Sequence, residues 1–267
     1  MDFETVAQHT RGVPVMGARE GRKLYDHVTR TKPDQVLEIG TAWGVSACYI
    51  AAALQANGHG RLTTVDHETA RYSEPTADEL FTATGLDPWI DRVRVRDSSY
   101  TWWLKGQIED RTDDSGNTQS VYDFCFLDGA HNWTIDGLTV FLVERLMNPG
   151  GWLLLDDVDW SYAGNEEEVS LAPPSDKMFA MSVEEARTPH VGAIVDVIVK
   201  GHPAFGEIRL QDGRWAWCRK ERLPTRRMVV ETTRPLPVLL SLAAERGFRR
   251  LRAAVTSGRG RSVRRHS

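Results

Sequence analysis

Val36-Leu37-Glu38-Ile39-Gly40-Thr41-Ala42-Trp43-Gly44 decides how this chain is read. Gln35–Gly40 is an apolar run of strand length, and the alanine-rich Ala47–Ala56 has the length and composition of a helix. Between them, Gly40 and Gly44 remove side chains where backbone must approach a ligand, and the following helix offers free N–H groups. In open α/β sheets ligands bind beyond the carboxyl ends of the strands. The spacing is Glu-x-Gly-x-x-x-Gly rather than Gly-x-Gly-x-x-Gly, and no Gly-Lys-Ser/Thr is present to hold a triphosphate. Hydride transfer and P-loop ATP hydrolysis are therefore disfavoured.

Outward from this loop the pattern repeats. Arg61–Asp66, Arg92–Arg96, Val121–Leu127 and Gly151–Leu155 read as strands. Thr76–Thr84, Tyr100–Ile108 and Ile135–Leu146 read as helices between them, with Gly85 as a stop and Asp110–Ser120 as a loop. Such alternation implies a parallel sheet covered on both faces. Further on, Trp160–Pro174 reads as a loop over the site, Met178–Ala186 as a helix and Gly192–Val199 as a strand. Glu207–Leu210 and Arg214–Arg219 flank Gln211-Asp212-Gly213, a hairpin signal. The expected fold is α/β: a Rossmann-like, doubly wound, mostly parallel seven-stranded sheet with an antiparallel C-terminal edge hairpin. Residues 1–34 are expected to form helical cover, 35–220 the main domain, and 221–267 a basic arm, partly disordered.

The chain of 267 residues, 41% hydrophobic and 26% charged, suits one sizeable α/β domain with additions. Residues 220–267 hold 13 Lys/Arg against 3 Asp/Glu, although the net charge is −4. A solvated or subunit-contacting arm is the simpler reading of that tail. Its single aromatic residue, Phe248, argues against stacking on RNA. No apolar run reaches membrane-spanning length, and Met1-Asp2-Phe3-Glu4 lacks a signal-peptide core, so a cytoplasmic protein is expected. Cys48, Cys125 and Cys218 form no CxxC pair, which excludes a zinc cluster of that kind.

Two strands end in carboxylates. Asp128 follows Phe124-Cys125-Phe126-Leu127, and Asp156-Asp157 follow Trp152-Leu153-Leu154-Leu155. In a parallel sheet these acids converge on one edge, where like charges repel and a hard cation removes the conflict. Oxygen ligands suit Mg²⁺. Metal coordination lowers the pKa of an alcohol, and His131, three residues beyond Asp128, has the unperturbed pKa of a general base. Asp66, at the end of the second strand, is placed to accept ribose hydroxyls, while Asp97 and Ser98 end the third near adenine. Asp66 and Asp128 each have a simpler alternative as a helix cap, whereas Asp156-Asp157 together are harder to explain without a cation, and His67 or Glu68 could replace Asp66 in its contact.

Val36 to Gly44 resembles the first motif of class I S-adenosylmethionine-dependent methyltransferases, and the order of motifs extends this over residues 34–220. The resemblance implies S-adenosyl-L-methionine as cofactor, with Glu38, Gly40 and Gly44 near its methionine end and Asp66 on its ribose. Asp128, His131 and Asp156-Asp157 resemble the metal-and-base arrangement of Mg²⁺-dependent sugar O-methyltransferases that act on macrolide antibiotics. They are also similar to mycobacterial enzymes that methylate methylmannose polysaccharide. This implies Mg²⁺ on the three acids, His131 as base, a sugar or oligosaccharide acceptor and a homo-oligomer, with a dimer favoured. Catechol and caffeoyl-CoA methyltransferases share the metal logic, but carry Asp-Asn in place of Asp156-Asp157 and a lysine in place of His131. A phenol or another small metabolite as acceptor, or a non-catalytic cofactor-binding scaffold, are the competing readings.

Overall fold

A computed structural model describes residues 1–67, 74–96, 98–164 and 181–221. Seven strands form one sheet: β1 (Gln35–Ile39), β2 (Arg61–His67), β3 (Ile90–Val95), β4 (Tyr122–Leu127), β5 (Met147–Leu155), β6 (Phe205–Gln211) and β7 (Trp215–Lys220). Their order across the sheet is β3-β2-β1-β4-β5-β7-β6. β1 to β5 pair in parallel, and β7 runs antiparallel to both β5 and β6. The expected architecture, edge hairpin included, is the one found.

Alternation along the central strands feeds two cores. Phe124 and Phe126 of β4 join a cluster with Val36, Leu54 and Trp217, while Cys125 and Leu127 join Leu37, Val143 and Ile194 on the opposite face. The helices α1 (Phe3–His9), α2 (Ala18–Thr31), α3 (Val45–Asn57) and α4 (Ala77–Thr84) contribute to the first layer. Every residue of α3 from Val45 to Leu54 is buried. That is why its sequence lacks a polar stripe: a helix wrapped by protein on all sides has no solvated face. α5 (Tyr100–Arg111) and α6 (Trp133–Leu146) contribute to the second layer. Thr76 and Glu79 form a reciprocal capping box that starts α4, and Gly85 in the left-handed region ends it. The three cysteines are free and buried. Residues 113–117 turn around Asp113, whose carboxylate accepts the N–H groups of Ser115 and Asn117.

One element differs from expectation. Gly192–Val199 is helical: α8 (His190–Ile194) continues as a π-turn over Val195–Val199, preceded by the short α7 (Val183–Arg187). The β-branched composition suggested a strand, but the buried positions Val191, Ile194, Val195 and Val199 recur at helical spacing. Gly137 of α6 leaves room for Ile194 and Ile198 to pack. Of the expected Met178–Ala186 helix, residues 178–180 lie outside the described residues, as do most of the Trp160–Pro174 loop and the arm from 222 onward. No described helix is long and apolar enough to cross a membrane.

Register is what positions the site. Ile39 pairs with Val65 on one side and Leu127 on the other, and Leu127 pairs with Leu155. The next residue of each strand therefore falls in a second row: Asp66, Gly40, Asp128, Asp156. Backbone bonds from Gly40 N to Val65 O, Asp128 N to Ile39 O and Asp156 N to Leu127 O lock that row at 2.9, 2.9 and 3.0 Å.

Candidate active site

The glycine loop lies between this row and the start of α3. Gly40 has φ +98°, and a Cβ there would sit 1.8 Å from the carbonyl oxygen of Asp128. The glycine thus lets β1 and β4 release their chains side by side. Gly40→Ala is expected to cost about 3 kcal/mol or more, because both the backbone conformation and the contact oppose a methyl group. A urea-unfolding midpoint equal to that of the parent would refute this reading. Thr41 N and Ala42 N donate to Asp66 Oδ2 at 2.9 and 2.7 Å, so Asp66 braces the loop from below. Glu38 is fully buried and accepts the Thr64 hydroxyl at 2.5 Å. Burial pushes its pKa to about 8, against the opposing hydrogen bonds of Ser46 and Thr64, so it is protonated in much of the neutral range.

Gly40, Thr41 and Trp43 share a cavity of about 520 Å³ with Asp128, His131 and Asp157. His131 Nε2 lies 3.0 Å from Asp128 Oδ1 and 3.4 Å from Asp157 Oδ2. One ligand atom from each of the three falls within 4.8 Å of the others, the spacing of a metal-ion site. His131 (φ +50°) and Asp157 (φ +57°) both occupy the left-handed region, where non-glycine residues persist only if their surroundings hold them.

For His131 the hold is visible. Asp136, 1% exposed, accepts Ala130 N at 3.4 Å on Oδ1 and Asn132 N at 3.0 Å on Oδ2, one backbone N–H from either side of the histidine. The Tyr100 hydroxyl donates to Asp136 Oδ1 at 2.6 Å and accepts Ala130 N at 3.1 Å. Asn132 caps α6 by accepting Thr134 N and Ile135 N. Tyr162 donates to Ala130 O at 3.0 Å, and the Trp160 ring lies 5.0 Å from the imidazole. Tyr100→Phe removes a donor from a buried carboxylate and is expected to lower stability by about 1–3 kcal/mol. Calorimetric melting checks this, and an unchanged melting temperature would mean that the hydroxyl carries no such share.

Asp156 departs from the metal role expected of it. Its carboxylate is fully buried and faces another cation: Arg214 donates from Nε at 2.6 Å and from Nη2 at 2.9 Å, and Trp215 Nε1 donates at 2.7 Å. The Asp157 N–H donates to it as well, at 2.7 Å. It is absent from the group that could share an ion, which consists of Asp128, His131 and Asp157. The physical reason is the antiparallel β7, which begins at the same sheet edge where β5 ends and brings Arg214 and Trp215 with it. Asp159 is exposed. Ser98 is exposed, and Asp97 lies outside the described residues.

Charge is crowded here. Burial first, then the charge of Asp128, raises the pKa of Asp156 to about 7 and raises that of Asp157, while Arg214 pulls both down. For His131, burial favours the neutral ring, but the hydrogen bond and charge of Asp128 followed by the charges of Asp157 and Asp136 outweigh it. Its pKa stands at about 9. As it stands, the imidazole is a cation donating to carboxylates. The donor set fits a divalent cation, because two carboxylate oxygens converge beside a ring nitrogen, with Arg214 3.4 Å from Asp157 as the competing positive charge. Arg214, Trp215, Tyr100 and Asp136 were not singled out as site residues from the sequence. For the first two a signal existed, since a hairpin after the parallel strands must turn near their carboxyl ends. For Tyr100 and Asp136 none did.

Residues 37–158 match a family described as a methyltransferase domain. Among solved structures, the chain is similar to TomG of Streptomyces achromogenes, an O-methyltransferase involved in tomaymycin synthesis, solved with S-adenosylmethionine. Identity is 18%, TM-score 0.55, with 82% of this chain and 89% of that one covered. It is also similar to the Podospora anserina methyltransferase PaMTH1, at 16% identity and TM-score 0.55, covering 82% and 87%. A Bacillus cereus O-methyltransferase matches at 16% identity and TM-score 0.51, covering 81% and 87%. No curated protein matches the chain. Residues 37–158 thus match a methyltransferase-domain family, and the described sheet has the fold of these methyltransferase structures.

Proposed function

We propose that this protein is a Mg²⁺-dependent S-adenosylmethionine O-methyltransferase that acts on a sugar hydroxyl, with His131 as general base. The observation that carries the reading is the convergence of Asp128, His131 and Asp157 in one cavity with the glycine loop. When bound, the cofactor supplies an activated methyl group and the cation makes an alcohol more acidic. Asp128 and Asp157 would hold the cation. Asp156 supports them from behind, fixed by Arg214 and Trp215. His131 Nε2 would take the hydroxyl proton, held in place by the Asp136 clamp on its two neighbours. Gly40 and the loop backbone would face the methionine end of the cofactor, with Glu38 and Gly44 bracing from behind. Asp66 would receive the ribose hydroxyls, and Asp97 with Ser98 would border adenine.

A sugar rather than a phenol is supported by the base. Phenols ionise at pH ~10 and alkyl hydroxyls several units higher, so an alkyl acceptor has the greater need of both a cation and a base. The Trp160 indole beside His131 offers a face for a pyranose ring. Buried free cysteines accord with a reducing cytoplasm, and the half-exposed Leu138 and Phe141 of α6 with a homodimer. The test is methyl transfer from labelled S-adenosylmethionine to a panel of mono- and oligosaccharides, catechols and hydroxycinnamates, with products located by mass spectrometry. Methylated sugars support the proposal. Turnover confined to catechols or hydroxycinnamates would replace it.

A further inference from the structure

A second cavity, of about 690 Å³, shares no lining residue with the one over the acids. It opens between α2 and the β5-β7-β6 part of the sheet, and its walls include the indoles of Trp152 and Trp217, set edge to face at 6.4 Å. His27 of α2 also lines it, only 5% exposed, with its ring 4.5 Å from that of Trp217. Its Nε2 has no hydrogen-bond partner among the described residues. Burial, then the charge of Arg30, holds this imidazole neutral, with a pKa of about 3.

The polar lining is of two kinds. Arg30 makes no ion pair among the described residues, whereas Arg209 lies over the Trp152 ring at 5.4 Å and is paired with Glu207. Asp26 supplies carboxylate oxygens, and the Gln211 amide oxygen, which already accepts Trp217 Nε1 at 2.8 Å, has one further lone pair. Indole faces stack on the C–H faces of a pyranose, carboxylate and amide oxygens accept its hydroxyls, and guanidinium groups bind an anion. A flat aromatic anion would leave the acceptors without work, and a neutral sugar would leave Arg30 unpaired.

We propose that this cavity binds an anionic pyranose, a sugar ring that carries a carboxylate or a phosphate group. The site goes beyond the methyl-transfer reading and rests on none of its residues. It lies on the other side of the β6–β7 turn from the acid group: Gln211 lines one cavity and Arg214 the other, and Lys23 bonds Asp212 between them.

The experiment uses the whole chain without cofactor or metal, so that failure of the methyl-transfer reading leaves it untouched. Glucuronate and glucose 6-phosphate are titrated in separate arms, with glucose and inorganic phosphate as controls. Binding is followed by indole fluorescence and calorimetry. At least one anionic sugar is expected to saturate, with glucose and phosphate each about tenfold weaker or more. Which arm saturates distinguishes carboxylate from phosphate. Arg30→Ala is expected to weaken the anionic sugar about tenfold and leave glucose unchanged, and Trp152→Ala to abolish the fluorescence response. Absence of saturation in both arms overturns the proposal, as does equal affinity in Arg30→Ala. Sedimentation showing self-association that Trp152→Ala abolishes, with no effect of sugar, would assign the cavity to a second copy and overturn it too.

Discussion

His131→Ala is expected to reduce turnover about 10³-fold while leaving the affinity for S-adenosylmethionine within about twofold of the parent. The split follows from position. The imidazole reaches Asp128 and Asp157, whereas the loop on the cofactor side is held by Asp66, Glu38 and the strand register. Removing the ring takes away the proton acceptor and also a positive neighbour of Asp128 and Asp157, leaving Asp157 with Arg214 at 3.4 Å. The metal-free variant should therefore lose stability as well as rate. Single-turnover kinetics with calorimetric cofactor binding separates the effects. A variant that methylates at the parental rate would remove His131 from the chemistry. Parallel loss of rate and cofactor affinity would make it a structural residue.

The second large effect is that of metal and pH together. Without a cation the surrounding carboxylates keep the imidazole protonated until about pH 9, so at pH 7 the base is already occupied by its proton. A cation on Asp128 and Asp157 cancels the negative charge that raises the pKa, which should bring it back toward the ordinary value of about 6.5. EDTA-treated enzyme is therefore expected to be nearly inactive at pH 7, and Mg²⁺ to restore activity and move the rising, acidic limb of the rate profile to lower pH. Superimposable profiles with and without chelator would sink the metal mechanism.

Stability should change in the same window. The folded pKa of His131 lies above its unfolded value, so its ion pairs contribute fully below about pH 6.5 and are lost as pH rises through about 9. Asp156, raised from 3.8 to about 7, acts in the same direction but at lower pH, its share being lost between those two values. The chelated protein should thus melt at progressively lower temperature from pH 6.5 to 9, and Mg²⁺ should flatten that slope.

The strand-loop-helix repeats were legible because β1, β4 and the end of β5 are apolar runs, β3 alternates apolar and charged residues, and Gly85 stops a helix. The acids were legible as a group because parallel strands must end on one edge. Two things were not. Gly192–Val199 has the composition of a strand, and only its packing on α6 makes it helical. Asp156 and Asp157 are adjacent and chemically alike, yet one is fully buried beneath Arg214 and Trp215 while the other faces the cavity beside His131. That division depends on a hairpin 58 residues away in sequence. Periodicity does not reveal which side chain an incoming strand will deliver. Tyr100 and Asp136 were hidden for a similar reason, since their meeting depends on how α5 and α6 pack.

The β6–β7 hairpin carries a liability that chemistry alone would not suggest. β7 meets β5 through a fixed pairing, Ala216 with Leu155 and Trp217 with Leu154. A strand shifted by one residue turns every side chain to the opposite face. One residue gained or lost at the Asp212-Gly213 turn could pull Arg214 and Trp215 away from Asp156 together, even though every acid and the histidine stayed in place. The catalytic edge is thus sensitive to the length of a surface turn, and a deletion there could silence the enzyme while every residue assigned to catalysis remained intact.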